Sequence, residues 1–238
     1  MNSSQKQKKI TVKFFLNQAL EPVTGERGRK LYPLYLQVTF NRKNMQLKSR
    51  YGLFYRDLKE VPAELMLFEE KLITKIIRFE ATGNEEGYEL KGLKRKYDQY
   101  SLSIHQALES YLKPKLRLAV LKTGRELAQV LDFNQPRIPT RLLYEAATLL
   151  FPQFESRLPQ TLRDDLQIYR LFQDLNNEPV LSYDFPTIID WLEGSYKADL
   201  LLTAGLNGKE NKDSLKKITS LIDNAVKECL KSLEELNN

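Results

Sequence analysis

Two reactive side chains are nearly missing from the 238-residue sequence, which holds one cysteine, Cys229, and one histidine, His105. A lone thiol excludes an intramolecular disulfide and a thiolate metal cage, and it suits a reducing compartment, cytoplasmic or nucleoid. With one His and one Cys, metal ligation fails on numbers, so no metal site is expected. Long apolar runs are absent too: none approaches the roughly 18–20 residues that cross a bilayer. The opening MNSSQKQKK carries charge with no apolar stretch behind it, so neither secretion nor membrane insertion is expected.

Catalytic patterns are equally scarce. The string TGERGRK at 24–30 lacks the G-x-x-x-x-G-K-[ST] spacing that cradles phosphates and reads as a basic loop, so no cofactor is expected. Carboxylate pairs such as Glu69–Glu70, Glu85–Glu86 and Asp164–Asp165 are sequence neighbours, which a helix points about 100° apart. That geometry is poor for shared metal or proton work. Tyr183, Phe185 and Trp191 form an aromatic group, but Ile188, Ile189 and Leu192 share the stretch, so core packing is the better reading.

What is present is an uneven charge. The first fifty residues carry 11 Lys/Arg against two acids, a net +9, while the whole chain sums to +6, leaving the other 188 residues at −3. A concentrated basic segment is a candidate polyanion-binding surface. Residues 151–200 lean the other way, with four basic against nine acidic side chains, a composition that repels phosphate and suits a protein partner.

The basic segment also alternates. Residues 10–16 (ITVKFFL) set Ile10, Val12, Phe14 and Leu16 against Thr11, Lys13 and Phe15, and residues 34–41 (LYLQVTFN) set Leu34, Leu36, Val38 and Phe40 against Tyr35, Gln37, Thr39 and Asn41. After a polar turn, Asn41-Arg42-Lys43-Asn44, the pattern resumes with Met45, Leu47, Ser49 and Tyr51 against Gln46, Lys48 and Arg50. This predicts a three-stranded antiparallel sheet. Pro62 followed by Leu65, Phe68, Leu72, Ile76 and Phe79 predicts one helix covering its apolar face. The outer face would then show Lys13, Tyr35, Gln37, Thr39, Gln46, Lys48 and Arg50, with Arg27, Arg29, Lys30, Arg42 and Lys43 in the flanking loops. Such a sheet can enter a DNA major groove, where Lys or Arg reads guanine and Gln reads adenine.

The glycine-rich, acidic stretch 82–90 predicts a linker, dividing the chain into 1–82 and 88–238. The remainder is helical in pattern, with helices expected near 93–112, 115–131, 139–150, 160–175, 185–202 and 212–235, punctuated by prolines such as Pro114. The last carries Leu215, Ile218, Ile222, Ala225, Cys229 and Leu233 on one stripe, and Lys212, Lys216 and Lys217 at its start are candidate phosphate contacts. The expected class is α+β, a small sheet with one helix followed by a mostly α-helical domain.

The string LYPLYLQVTFNRKNMQLKSRYGL at 31–53, after a short strand and before a Pro-started helix, resembles the arm-type DNA-binding domain of phage-integrase-like tyrosine recombinases of Bacteroidetes mobile elements, which read much like YPIYLRVTINRKR. The likeness covers roughly residues 8–80. The string DSLKKITSLIDNAVKE at 213–228 is similar to the closing helix of the same family's core-binding domain, which would occupy 160–238. The resemblance implies duplex DNA as partner and recombination or integration as setting. It also marks a departure: members continue into a catalytic domain with two arginines, a lysine, a His-x-x-Arg element and a tyrosine nucleophile. Here His105 is followed by Gln106-Ala107-Leu108, and no cluster supplies the cations a nucleophilic phenol needs. No catalytic residue is assigned, and the polar ending KSLEELNN reads as a natural stop.

Three functions follow as expectations. The first is a non-catalytic, sequence-preferring duplex DNA-binding protein that positions or regulates recombination or transposition. The second is an adaptor whose helical part docks a recombinase, transposase or other protein partner. The third is the DNA-binding half of a longer recombinase.

Overall fold

The alternation at residues 34–40 forms the larger part of an 11-residue strand, β3 (Lys30–Phe40), to which every other strand in the sheet pairs, while Asn41 falls in the turn that follows. A computed structural model describes residues 8–82, 87–123, 131, 138–175, 185–205 and 211–235, with side chains over 8–82, 87–122, 131, 138–174, 185–202 and 213–232. The architecture is α+β. It divides into two units, Met1–Ser101 and Leu102–Asn238.

In the first unit β1 (Thr11–Leu16) and β4 (Lys43–Lys48) flank β3 antiparallel, while β2 (Val23–Thr24) and β5 (Phe54–Tyr55) add two-residue ladders to its first half. The sheet therefore has five strands rather than three. The two extra ones exist because β3 begins at Lys30, four residues before its clean alternation, and that extension offers unpaired backbone groups. The register stacks Phe14, Leu36 and Leu47 in one cross-strand row and Val12, Val38 and Met45 in the next. Leu34, Leu36, Val38 and Leu47 are each at most 1% exposed, and burying each is worth about 1.5–3 kcal/mol.

Helix α1 (Ala63–Glu80) covers that face, entered through Pro62, with Leu65, Leu72, Ile73, Ile76 and Ile77 buried. Between sheet and helix lies a carboxylate. Glu69 of α1 is fully buried, and its Oε1 accepts from Ser49 Oγ (3.0 Å), the Arg50 N–H (3.0 Å) and the Tyr97 hydroxyl (2.6 Å). Its Oε2 has no partner. Ser49 ends the inward row after Leu47, so the three bonds tie the end of β4, α1 and the next helix together.

That next helix, α2 (Leu93–Tyr100), moves the domain boundary. A linker near 82–90 was expected to end the first domain, but the division falls after Ser101. The reason is packing: Leu90, Leu93, Tyr97 and Tyr100 are buried, Tyr100 donates to Glu80 of α1 (2.7 Å), and the Tyr88 ring meets Phe40 edge-on at 6.0 Å.

The second unit is helical: α3 (Ile104–Thr123), α4 (Thr140–Leu150), α5 (Phe154–Arg157), α6 (Gln160–Leu175), α7 (Ile188–Leu192), α8 (Ser195–Gly205) and α9 (Asn211–Glu235). Ile104, Leu108, Leu112, Leu116 and Val120, four residues apart on α3, are fully buried, and α3 packs on α4, α6, α7 and α9. Expected boundaries shift at three places. The 93–112 helix breaks at residues 101–103, because Ser103 Oγ accepts from the Gln106 N–H (3.1 Å) while Gln106 Oε1 accepts from the Ser103 N–H (2.9 Å), a capping box that starts α3 afresh. Pro114 does not punctuate: α3 runs through it, and only the Ser110 carbonyl loses its helical donor. The 185–202 helix splits at Gly194, whose φ of 85° is left-handed, after Thr187 and Asp190 form a second capping box. The expected continuation of α3 over 124–130 and the side chain of Leu233 lie outside the described residues, as does Tyr183. Trp191 is buried, donating to Asp223 Oδ1 (2.8 Å), while Phe185 is 37% exposed rather than packed in the core.

Burial pushes the Glu69 carboxyl above the usual carboxylate range, against the opposing pull of the Tyr97, Ser49 and Arg50 hydrogen bonds. A raised acid pKa means the folded chain keeps a proton that the unfolded chain releases. Stability is then fullest below the unfolded pKa and declines as pH rises through the folded one. Glu69→Gln removes that decline, so its Tm falls less than that of the wild type between pH 4 and pH 9; parallel curves would contradict this. Glu69→Ala strands three donors and lowers stability by roughly 3 kcal/mol, measured by urea unfolding.

Candidate nucleic-acid interface

Because β1 and β4 both pair with β3, the polar sides of the three strands line up on the face that α1 leaves uncovered. Lys13, Gln37 and Gln46 occupy one cross-strand row. Phe15, Tyr35 and Lys48 form the row beside it, and Thr11, Thr39 and Asn44 the row on the other side. Neighbours across a row stand about 5 Å apart at Cβ, so each triad acts as a unit. Lys13, Gln46 and Lys48 are exposed, and Tyr35, Gln37 and Thr39 are half-buried between their neighbours.

The aromatic side chains give this face a firm end. The Phe15 and Tyr35 rings lie 5.9 Å apart, and the Lys48 ammonium stands 5.8 Å from the Phe54 ring. Such a cation is held near an aromatic surface yet keeps its other side to solvent. At the opposite end the Thr39 hydroxyl donates to Asn44 Oδ1 (2.7 Å).

The β3–β4 turn is tighter than expected. Lys43 and Asn44 belong to β4, leaving Asn41 and Arg42 as a two-residue turn with φ of 49° and 62°. Positive φ at both positions is the twist-matched hairpin turn, which favours Asn at the first position and Gly at the second. This chain has arginine at the second, exposed at the tip. Arg27, in the loop before β3, has the same left-handed backbone at φ 62°.

The structure does not gather every predicted cation. Arg27, Arg29 and Lys30 are exposed at the start of β3, and Arg42 and Lys43 at its far end, roughly 30 Å away along the strand. Lys43 pairs with Glu89, whose carboxyl the ammonium holds below its usual range. Arg50 departs from expectation: β4 ends at Lys48, the Arg50 N–H is committed to Glu69, and the residue is half-buried with its guanidinium 5.4 Å from the Tyr51 ring. Lys216 and Lys217 are exposed on α9 of the second unit. The side chain of Lys212 lies outside the described residues.

Thr11, Phe15, Asn44 and Phe54 share the uncovered face and were not among the predicted contacts. Strand parity alone marks Thr11 and Phe15. Asn44 was hidden by the assumed four-residue turn, and Phe54 by a strand too short to show a period. No family model matches this chain, nor does any curated protein or solved structure. No group of His, Cys, Asp and Glu suited to a metal ion occurs among the described residues. No described helix is long and apolar enough to cross a membrane.

Arg42 separates a structural from a binding role. Glycine relieves the left-handed backbone, where an L side chain costs about 1 kcal/mol. Arg42→Gly is therefore expected to keep or raise Tm by a few degrees while weakening duplex DNA binding. A variant that binds DNA as the wild type does assigns the tip no contact.

Proposed function

We propose that the chain is a non-catalytic, sequence-preferring duplex DNA-binding protein whose first unit meets DNA with the uncovered face of its sheet. The observation that carries this reading is the register, which sets Lys13, Gln37 and Gln46 in one row beside Tyr35 and Lys48. Ammonium groups suit phosphate or guanine, and glutamine suits the edge of adenine. A-form RNA suits this face poorly, since its major groove is too deep and narrow for a sheet. The likeness of residues 8–80 to arm-type domains supports the same reading, and gives it a setting: positioning or regulating recombination or transposition on a mobile element, in the cytoplasm. With no His-x-x-Arg element in these residues, the proposed role is binding, either as a protein in its own right or as the DNA-binding half of a recombinase.

A second reading, that the helical unit docks a recombinase, transposase or other protein partner, draws on two features. Residues 151–200 are acidic, and large apolar side chains of that unit stand in solvent, Leu149 at 83% and Leu202 at 70% exposure.

Fluorescence anisotropy with random 30-mer duplex, single strand and RNA across a salt series tests the first reading. Duplex preference is expected, and Lys13→Glu with Lys48→Glu should flatten the log–log salt slope by about two. Binding that these reversals leave unchanged would sink the proposal.

A further inference from the structure

The helical unit has one groove with an apolar floor and a basic rim. It lies between α3 and the corner where α5 gives way to α6, with a volume of about 440 Å³. Tyr111 and Leu118 of α3, Pro159 of the corner and Leu162 of α6 supply the apolar surface. Lys115 and Lys122 of α3 and Arg157 of α5 supply three cations, against one carboxylate, Asp165 of α6.

Helical spacing sets the pattern on the α3 wall. Lys115, Leu118 and Lys122 follow one another by three and four residues, so a leucine stands between two lysines on one face. That leucine is 54% exposed. Lys115, Lys122 and Arg157 are exposed as well, and none of them forms an ion pair among the described residues. The Lys115 ammonium sits 3.3 Å from the centre of the Tyr111 ring, which holds one of the charges at the rim. Asp165 is half-buried, and burial pushes its carboxyl above the usual carboxylate range against the opposing pull of Lys115. An apolar anchor point inside a rim of one charge sign is the anatomy of a protein-docking surface.

We infer that this α3–α6 groove docks an acidic amphipathic helix of a partner protein, its carboxylates on Lys115 and Lys122 and an apolar side chain between them on Leu118. From Lys115 to Lys122 α3 rises about 10.5 Å, the same rise that separates positions seven apart on any helix laid alongside it. Glutamates seven apart, with a leucine three or four residues after the first, therefore meet both lysines and Leu118 at once. Arg157, on the other wall, offers a fork of donors to a further carboxylate. A phosphodiester chain brings charge without apolar surface and leaves Tyr111, Leu118 and Pro159 in water. The inference rests on the reading of the helical unit as a dock for a protein partner, and it names the chemistry of that contact.

The test uses the full chain and two fluorescein-labelled probes of roughly 20 residues, long enough for an alanine-based helix to form. One carries two glutamates seven apart with a leucine between them, and the other has lysine in place of glutamate. The acidic peptide should bind, with affinity falling as salt rises, and the lysine peptide should not. Lys115→Gln/Lys122→Gln should weaken binding about tenfold, since each exposed ion pair is worth a few-fold. Leu118→Ser should weaken it by about as much through lost apolar burial. Both variants should keep the wild-type Tm, because all three side chains are exposed. Lys115→Glu/Lys122→Glu should take the lysine peptide instead. If the acidic peptide is not bound, or these variants bind it as the wild type does, the groove assignment is overturned. A protein captured from cell extract by wild type and variants alike would then leave docking at another surface of the unit standing, whereas no peptide bound and no protein captured overturns both. Random 30-mer duplex that displaces the peptide, with duplex affinity lowered by the glutamine pair but not by Leu118→Ser, assigns the groove to phosphate and also overturns the inference.

Discussion

Strand β3 is the constraint from which the first unit follows. β1, β2, β4 and β5 all hydrogen-bond to it, so its period of two decides which side chains face α1 and which face outward. A slip of one residue in either long ladder would turn Phe14 of β1 or Leu47 of β4 to the surface and bury Lys13 or Gln46. The cost of that exchange, several buried apolar side chains against several stranded polar ones, holds the register. The outer rows are thus fixed by the core rather than by their own contacts, and a polar face can vary in identity without endangering the fold.

The same logic explains where the molecule departs from the most stable choice. Glu69 buries a carboxyl with one oxygen unpartnered, yet its other oxygen joins β4, α1 and α2 at one point that no apolar side chain could join. Arg42 and Arg27 hold left-handed backbone where glycine is easier. The first departure serves the geometry of the sheet's end. The other two keep cations at loop tips, and such local strain clusters where a surface has work beyond folding.

Much of this was legible in the amino-acid pattern because it depends on local periods. The alternation of residues 11–16, 34–40 and 45–48 names the inward and outward sets, and the helical stripe of Leu215, Ile218, Ile222 and Ala225 names the buried face of α9. What the pattern could not show depends on pairing at a distance or on features of one or two residues. The strands β2 and β5 are two residues long and exist only because β3 offers them an edge. The boundary at Ser101 follows from Tyr97 reaching Glu69, a contact 28 residues apart. The Ser103–Gln106 box was readable as a helix start, but the apolar rhythm on either side concealed it.

The account stands on DNA lying against the outer rows of the sheet. A photo-cross-linking side chain placed at Gln46, on that face, and in a second protein at exposed Glu70 of α1, tests it directly. The account predicts covalent capture of duplex DNA from position 46 and none from position 70. Capture from position 70 alone, or equally from both, would contradict it.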